Sequence, residues 1–336
     1  MKKIVACLLA VIMITLSFAA CGESATEKPQ TEKKLHIVST IFPQYDWVRQ
    51  ILGDKAENAE LTMLLDNGVD LHSYQPTTDD IVKISSCDVF IYVGGESDGW
   101  VERTVANATN KDMVVINLLE VLGDIVKTEE VVEGMEHDHE HEDEHDHEHD
   151  ENHEEHAEEE HSLDEHVWLS LKNTVILCEY ISDKICELDV DNAENYKNNT
   201  TIYCEKLSML DNQYKEAVTA ATTKTLLFGD RFPFRYLVDD YNLDYFAAFS
   251  GCSAETEASF ETVVFLSKKV DELFLKNIMV TESSDKKIAE TIKENTASKN
   301  QQILVLDSMQ SVTKPDDNSY LSIMESNLSV LKNAVS

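Results

Sequence analysis

Twelve histidines carry most of the chemistry this sequence can offer, and they are unevenly placed. Nine of them, His137, His139, His141, His145, His147, His149, His153, His156 and His161, fall within residues 136–161 among fifteen acids. Imidazole is a borderline-soft donor suited to zinc, copper and nickel, and the flanking carboxylates concentrate divalent cations. The run is therefore expected to collect metal. Three histidines lie elsewhere: His36, His72 and His166. His72 sits in the turn-rich run DNGVDLHSYQPT (66–77) and His166 in DEHVWLS (164–170). Two aspartates occupy comparable places, Asp230 in FGDRFPF (228–234) and Asp307 in LDSMQS (306–311). Two imidazoles with one or more carboxylates form a donor set that suits zinc. Singly, each signal is weak, since a lone loop histidine commonly faces solvent and an aspartate closing a strand commonly caps a helix or turn.

The elements around these residues give the signals force. Short β-branched runs at 35–41, 59–65, 88–93 and 113–118 alternate with amphipathic segments at 44–52, 78–86 and 98–108. Acids at Asp79 and Asp80 behind Thr77 mark a helix start. After a long insert comes a helix over 171–188. The second half repeats the plan, with strands at 225–228, 245–249, 278–281 and 303–306 and helices at 234–241, 259–275, 286–295 and 319–334. Such alternation predicts an α/β protein of two similar lobes, each a roughly four-stranded, mostly parallel sheet with helices on both faces. Between the lobes, 191–221 reads as one helix whose apolar residues (Tyr196, Tyr203, Leu207, Leu210, Tyr214, Val218) share a face. At roughly 45 Å it would be a stiff rod. Ligands of open parallel sheets bind beyond the strands' carboxyl ends. His72, His166, Asp230 and Asp307 all follow strands, two from each lobe, whereas His36 lies inside the first strand and is expected to be structural.

The chain begins with an export signal: Lys2 and Lys3, an apolar run over 4–18, then Ala19-Ala20-Cys21. This resembles a bacterial lipobox, in which the new N-terminal cysteine is lipidated, although Phe18 stands where leucine is usual. The alternative is a plain secretory signal with an incidental cysteine. The expected organisation is a signal peptide over 1–20, lipidated Cys21 with a polar tether to 34, a first lobe over 35–188, a linking helix over 189–221 and a second lobe over 222–336. The first lobe carries a disordered loop over 129–162, because nothing in the acidic run could build a core. A net charge of −36 argues against nucleic acid. Five cysteines remain, Cys87, Cys178, Cys186, Cys204 and Cys252, an odd number without a CxxC pair. Cys178 and Cys186, roughly 12 Å apart on one helix, are too far apart to bridge. All five read as mostly buried, reduced residues.

The runs DLHSYQPTTDDIVKISSCDVFIYVGG, DEHVWLSLKNT and ILVLDSM, with the rod helix and the acidic histidine-rich insert, resemble the zinc- and manganese-specific solute-binding lipoproteins of ABC uptake systems (cluster A-I). The likeness covers nearly the whole mature chain, and the insert is typical of the zinc branch. The resemblance implies a metal between the lobes, held by His72, His166 and Asp307. It also implies a monomeric, membrane-anchored receptor outside the cell membrane that delivers Zn(II) to an importer permease with its cytoplasmic ATPase. One departure stands out. The family usually has a histidine or glutamate where the second lobe's first strand ends, and here Gly229 is followed by Asp230. Asp230, a loop histidine or water is left to complete the site. A manganese or iron(II) receptor of the same class is the alternative, since it needs more oxygen donors. A zinc hydrolase is more remote, since it needs a general base aimed at bound water.

Overall fold

The computed structural model describes residues 34–135, 162–253, 257–312 and 317–336. The expectations for 1–33, Cys21 among them, and for the nine histidines of 136–161 lie outside the described residues.

Strands β1 (Leu35–Ser39), β2 (Ala59–Met63), β3 (Val89–Tyr92) and β4 (Val114–Asn117) form one sheet, in the order β2-β1-β3-β4. Strands β5 (Thr225–Phe232), β6 (Asp244–Ser250), β7 (Asn277–Val280) and β8 (Gln302–Val305) form a second, in the matching order β6-β5-β7-β8. Every pairing is parallel. Parallel strands need crossovers, which cover both faces and bury side chains on each. Val89, Phe90 and Ile91 of β3 are accordingly all buried. One strand departs from expectation. β5 runs past Phe228 to Phe232, and its register against β6 shifts between Phe228 and Arg231, where Gly229 and Asp230 sit.

The helices fall where their caps and apolar spacing place them. Helix α1 (Phe42–Leu52) buries Trp47, Val48 and Ile51, and α2 (Thr78–Ser86) starts at Thr77, whose hydroxyl accepts from Asp80 N–H while the Asp80 carboxylate accepts from Thr77 N–H. Two short helices follow, α3 (Val101–Ala106) and α4 (Leu118–Leu122). Helix α5 (Leu171–Leu188) opens on Ser170, which accepts from Asn173 N–H. The long helix α6 (Ala193–Thr219) buries the tyrosine-leucine face read from its spacing. Around the second sheet stand α7 (Arg235–Tyr241), α8 (Phe260–Glu272), α9 (Lys287–Asn295) and α10 (Tyr320–Ala334). Among the described residues no helix is long and apolar enough to cross a membrane.

The lobes share a core beneath the strand ends. Trp47 of α1 meets Tyr320 of α10 edge-on, with ring centroids 5.6 Å apart. Tyr320 N–H donates to buried Asp46 (2.9 Å) and its hydroxyl to Trp168 O (2.6 Å). The Trp168 indole N–H donates to Ser308 O (2.8 Å), and Tyr214 of α6 donates to Met324 O (2.6 Å). These bonds lie in apolar surroundings where an unmade bond would cost its full desolvation penalty. They join the lobes as one packed unit.

Candidate metal centre

His72 stands on the single 3-10 turn Leu71–Ser73 that follows β2. Asp70 caps this turn by accepting from His72 N–H (3.0 Å), and its other oxygen accepts from the Arg231 guanidinium of β5 (2.7 Å). Leu71 is buried, so the turn is held by apolar packing and by charge from the opposite lobe. His166 precedes the 3-10 turn Val167–Leu169 and is fully buried. One Asp164 oxygen accepts from its backbone N–H (2.9 Å) and faces its ring Nδ1 (3.0 Å). The carboxylate thus fixes the proton on Nδ1 and leaves Nε2 to a ligand.

The two imidazoles meet. Their Nε2 atoms are 3.1 Å apart, with ring centroids at 5.1 Å. Two nitrogens bound tetrahedrally at about 2.0–2.1 Å from zinc stand about 3.3–3.4 Å apart, so the spacing is close to that of a ligand pair. His72 Nδ1 faces Ser97 Oγ (2.8 Å) and, further off, Glu165 Oε2 (3.6 Å). The other Glu165 oxygen accepts from Ser97 N–H (2.9 Å). Glu165 Oε2 is buried without a hydrogen-bond partner. Each ring therefore has an oxygen acceptor behind the nitrogen that does not face its neighbour, the arrangement that orients metal-bound histidine.

The electrostatics divide the pair. Burial, then the neighbouring His166 imidazolium, pulls His72 down to about 3, so its ring is neutral at any physiological pH. Burial also pulls His166 down, but the Asp164 carboxylate, with Glu165 and Glu129, outweighs it and leaves that ring above the ordinary histidine range. Burial raises Glu165, against the bonds from Ser97.

A third metal-capable group joins them. Among the described residues, Cys252 offers its sulfur within 4.8 Å of a ligand atom on each imidazole. It lies just past β6, and its backbone N–H donates to Glu129 (2.7 Å). Gly251 allows the approach, since a Cβ there would stand 2.9 Å from His166 Cε1. A cavity of about 320 Å³ opens onto this cluster, lined by His72, Ser97, Glu129, Ser162, Leu163, Glu165 and Cys252. The base of the histidine-rich insert forms part of its wall: Thr128 bridges Leu163, and Glu129 N–H donates to Ser162 O (2.8 Å).

The expected aspartates are not in the cluster. Asp307 lines a different cavity with Glu282 and Ser311. One of its oxygens accepts from Met309 N–H (2.8 Å), and its backbone is held by Asn327 of α10 through bonds of 2.9 and 2.8 Å. Burial, then the Glu282 charge, pushes its carboxyl up to about 6. Asp230 is spent on the sheet: one oxygen accepts from Thr281 N–H and Oγ (2.9 and 2.8 Å), the other from Arg231 N–H (2.8 Å). It closes the irregularity in β5 against the end of β7. Gly229 cannot substitute, because a Cβ there would lie 2.6 Å from Ala289 Cα in α9. Cys252 escaped the sequence reading, which grouped it with four buried thiols. Those four are buried, whereas Cys252 is partly exposed. The available signal was topological. β6 holds the place in its sheet that β2 holds in the other, and His72 follows β2.

One short run near the site has hydrolase-like spacing. Residues 95–99, GESDG, match G-x-S-x-G and place Ser97 beside His72. A serine relay needs a carboxylate on the ring nitrogen opposite the serine. Here Glu165 is on the same side as Ser97, and the opposite nitrogen faces His166. A second run, HEDEH (141–145), has H-E-x-x-H spacing and lies outside the described residues.

Known proteins resemble the chain in sequence and in fold. The zinc-binding lipoprotein AdcA of Streptococcus pneumoniae is 31% identical over 337 residues, which cover 99% of this chain and 61% of that protein. The chain thus spans 61% of the length of the streptococcal relatives. The high-affinity zinc uptake system protein ZnuA of Bacillus subtilis is 30% identical over 322 residues, 95% of this chain and 94% of that protein. Among solved structures, the Zn(II)-bound ZnuA-like domain of Streptococcus pneumoniae AdcA superposes with a TM-score of 0.67 at 27% identity, over 90% of this chain and 99% of that one. The metal-dependent lipoprotein YcdH of Bacillus subtilis gives 0.69 at 26% identity over the same shares. The model of the family described as zinc-uptake complex component A, periplasmic, matches residues 37–334, and the chain belongs to that family.

Proposed function

We propose that this protein is an extracytoplasmic receptor that captures Zn(II) between its lobes and passes it to the permease of an ABC importer driven by a cytoplasmic ATPase. In this reading residues 1–20 are removed, Cys21 carries a lipid anchor, and residues 22–34 tether a monomeric receptor to the membrane. The single observation that carries the reading is the Nε2 pair at 3.1 Å, each ring backed by an oxygen acceptor on its other nitrogen. Relatives named for zinc binding and zinc uptake support a receptor rather than a hydrolase. The nine histidines of 136–161 act as a collector, and the base of their insert borders the same cavity. The manganese or iron(II) alternative depends on oxygen donors, and it loses support because Asp230 and Asp307 bond elsewhere.

Titration calorimetry on the mature protein tests the proposal. His72→Ala and His166→Ala abolish tight zinc binding, whereas deletion of 136–161 spares it and removes only additional weak sites. Tight binding that survives both histidine changes sinks the reading.

A further inference from the structure

We infer that the Cys252 sulfur, from the loop after β6, is the second lobe's ligand to the transported metal and stands in for the histidine or glutamate that the family usually places at the end of that lobe's first strand. This rests on the receptor reading above and goes beyond it by assigning a donor.

Four observations meet here. The sulfur lies within 4.8 Å of a ligand atom on each of the two facing imidazoles. The loop is anchored beside the imidazoles by the bond from Cys252 N–H to Glu129, and Gly251 permits the approach, since any side chain there would strike the His166 ring. In the same cavity, Glu165 is 2% exposed and aims a buried oxygen that has no hydrogen-bond partner. Such an orphaned carboxylate oxygen is costly unless positive charge arrives nearby, and a metal on His72 would supply it through the ring. Finally, among the described residues, the other second-lobe candidates bond elsewhere. Gly229 has no room for a side chain, Asp230 bonds Thr281, and Asp307 faces Glu282. Among the described residues, the second lobe otherwise lines this cavity with Ser250 and Ser253, whose hydroxyls are weaker donors.

Metal entry then proceeds with a simple balance. The thiol proton, with any proton held between the two Nε2 atoms, leaves to solvent as bonds form from sulfur and two nitrogens to the metal. Zinc–sulfur bonds of about 2.3 Å require the loop to close slightly on the imidazoles. Two nitrogens and one thiolate leave a fourth position for water. The thiolate favours zinc over manganese, because soft donors discriminate against hard cations. It also makes the metal a bond between the lobes, since both imidazoles belong to the first.

Cobalt(II) reports sulfur ligation directly. The wild-type mature protein loaded with cobalt shows a near-ultraviolet thiolate-to-cobalt charge-transfer band, and Cys252→Ser abolishes it. Histidine and carboxylate sites in the insert give no such band. Outer-sphere partners alone are worth about 10–100-fold in affinity, so loss of a direct ligand in Cys252→Ser weakens zinc binding by at least about tenfold. Cys252→His, in case serine perturbs the loop, restores affinity without the band. A wild-type cobalt complex that lacks the band, with Cys252→Ser binding zinc as tightly as wild type, overturns the assignment. The receptor reading fails separately: it falls if His72→Ala and His166→Ala still bind zinc tightly, whatever the cobalt spectrum shows.

Discussion

The two lobes carry the same strand order, yet they prepare the site differently. In the first, both imidazoles are locked by short turns, buried leucine and tryptophan packing, and carboxylates at fixed distances. In the second, the donor rides on a loop past β6, and the neighbouring acids are bonded into the sheet. The first half is thus preorganised, and the donor loop of the second, held to it here by the bond from Cys252 N–H to Glu129, has room to adjust. The first half sets the geometry, and the second decides whether a metal would tie the lobes together. The rigid half bears a cost, because it concentrates buried carboxyls around the histidines.

The largest expected effect reads that cost directly. Asp98 is 4% exposed, and one of its oxygens accepts from Val93 N–H and Gly94 N–H (both 2.9 Å) while the other is buried without a partner. Burial, then the Glu165 charge, pushes its carboxyl up to about 7. An acid raised in this way binds a proton in the folded state that the unfolded chain has already lost. Its contribution to stability is therefore complete below the unfolded value near pH 4 and is lost as pH rises through about 7. The stability difference between wild type and Asp98→Asn, both metal-free, should fall by on the order of 3 kcal/mol from pH 4.5 to pH 8. Urea unfolding across that range measures it. A difference that is flat with pH would mean that the first lobe carries no such strain.

Next in size is the carboxylate behind His166. Asp164→Ala removes the acceptor on ring Nδ1, so the ring loses both its fixed tautomer and its orientation. Zinc affinity should drop by about 10–100-fold, with Asp164→Asn, which keeps an acceptor, intermediate. Calorimetry on the two variants checks the order. Equal affinities for Asp164→Ala and wild type would erase the contrast between a locked and an adjustable half.

Much of this was legible in the sequence, and the remainder has identifiable causes. All eight strands and the rod helix follow from periodicity, because burial on both faces of a parallel sheet forces apolar runs and a one-faced helix forces spacing of three and four. His72 and His166 stand out in the sequence because they follow strands and are two of only three histidines outside the insert, and the structure brings their rings together. Asp230 and Asp307, expected beside the histidines, stand outside the cluster for a local reason. A carboxylate at a strand end can bond backbone N–H groups as readily as a metal, and spacing does not record which. Thr281 and Met309 claim these two oxygens. Cys252 was hidden by its residue type, since most cysteines are inert core residues. The match between β2 and β6 shows only once both sheets are drawn.

The smallest expected effect tests the contrast most sharply. By family resemblance Asp307 is a ligand, but in this structure it shares a cavity with Glu282 and bonds Met309. If the second lobe contributes sulfur instead, Asp307→Asn should leave zinc affinity within about threefold of wild type, less than 1 kcal/mol. The change should register in stability. Burial and Glu282 raise the Asp307 carboxyl to about 6, so the charged form is unfavourable in the folded state. Asparagine removes that charge and relieves the repulsion, so the metal-free variant should unfold at a higher temperature than wild type above pH 6. Below the unfolded carboxyl value the two should converge, because both are then neutral there. Melting curves at pH 4 and pH 8 beside a zinc titration separate the outcomes. A hundredfold loss of zinc affinity in Asp307→Asn would mean that closure on the metal swings this carboxylate into the site and that the adjustable half is larger than one loop.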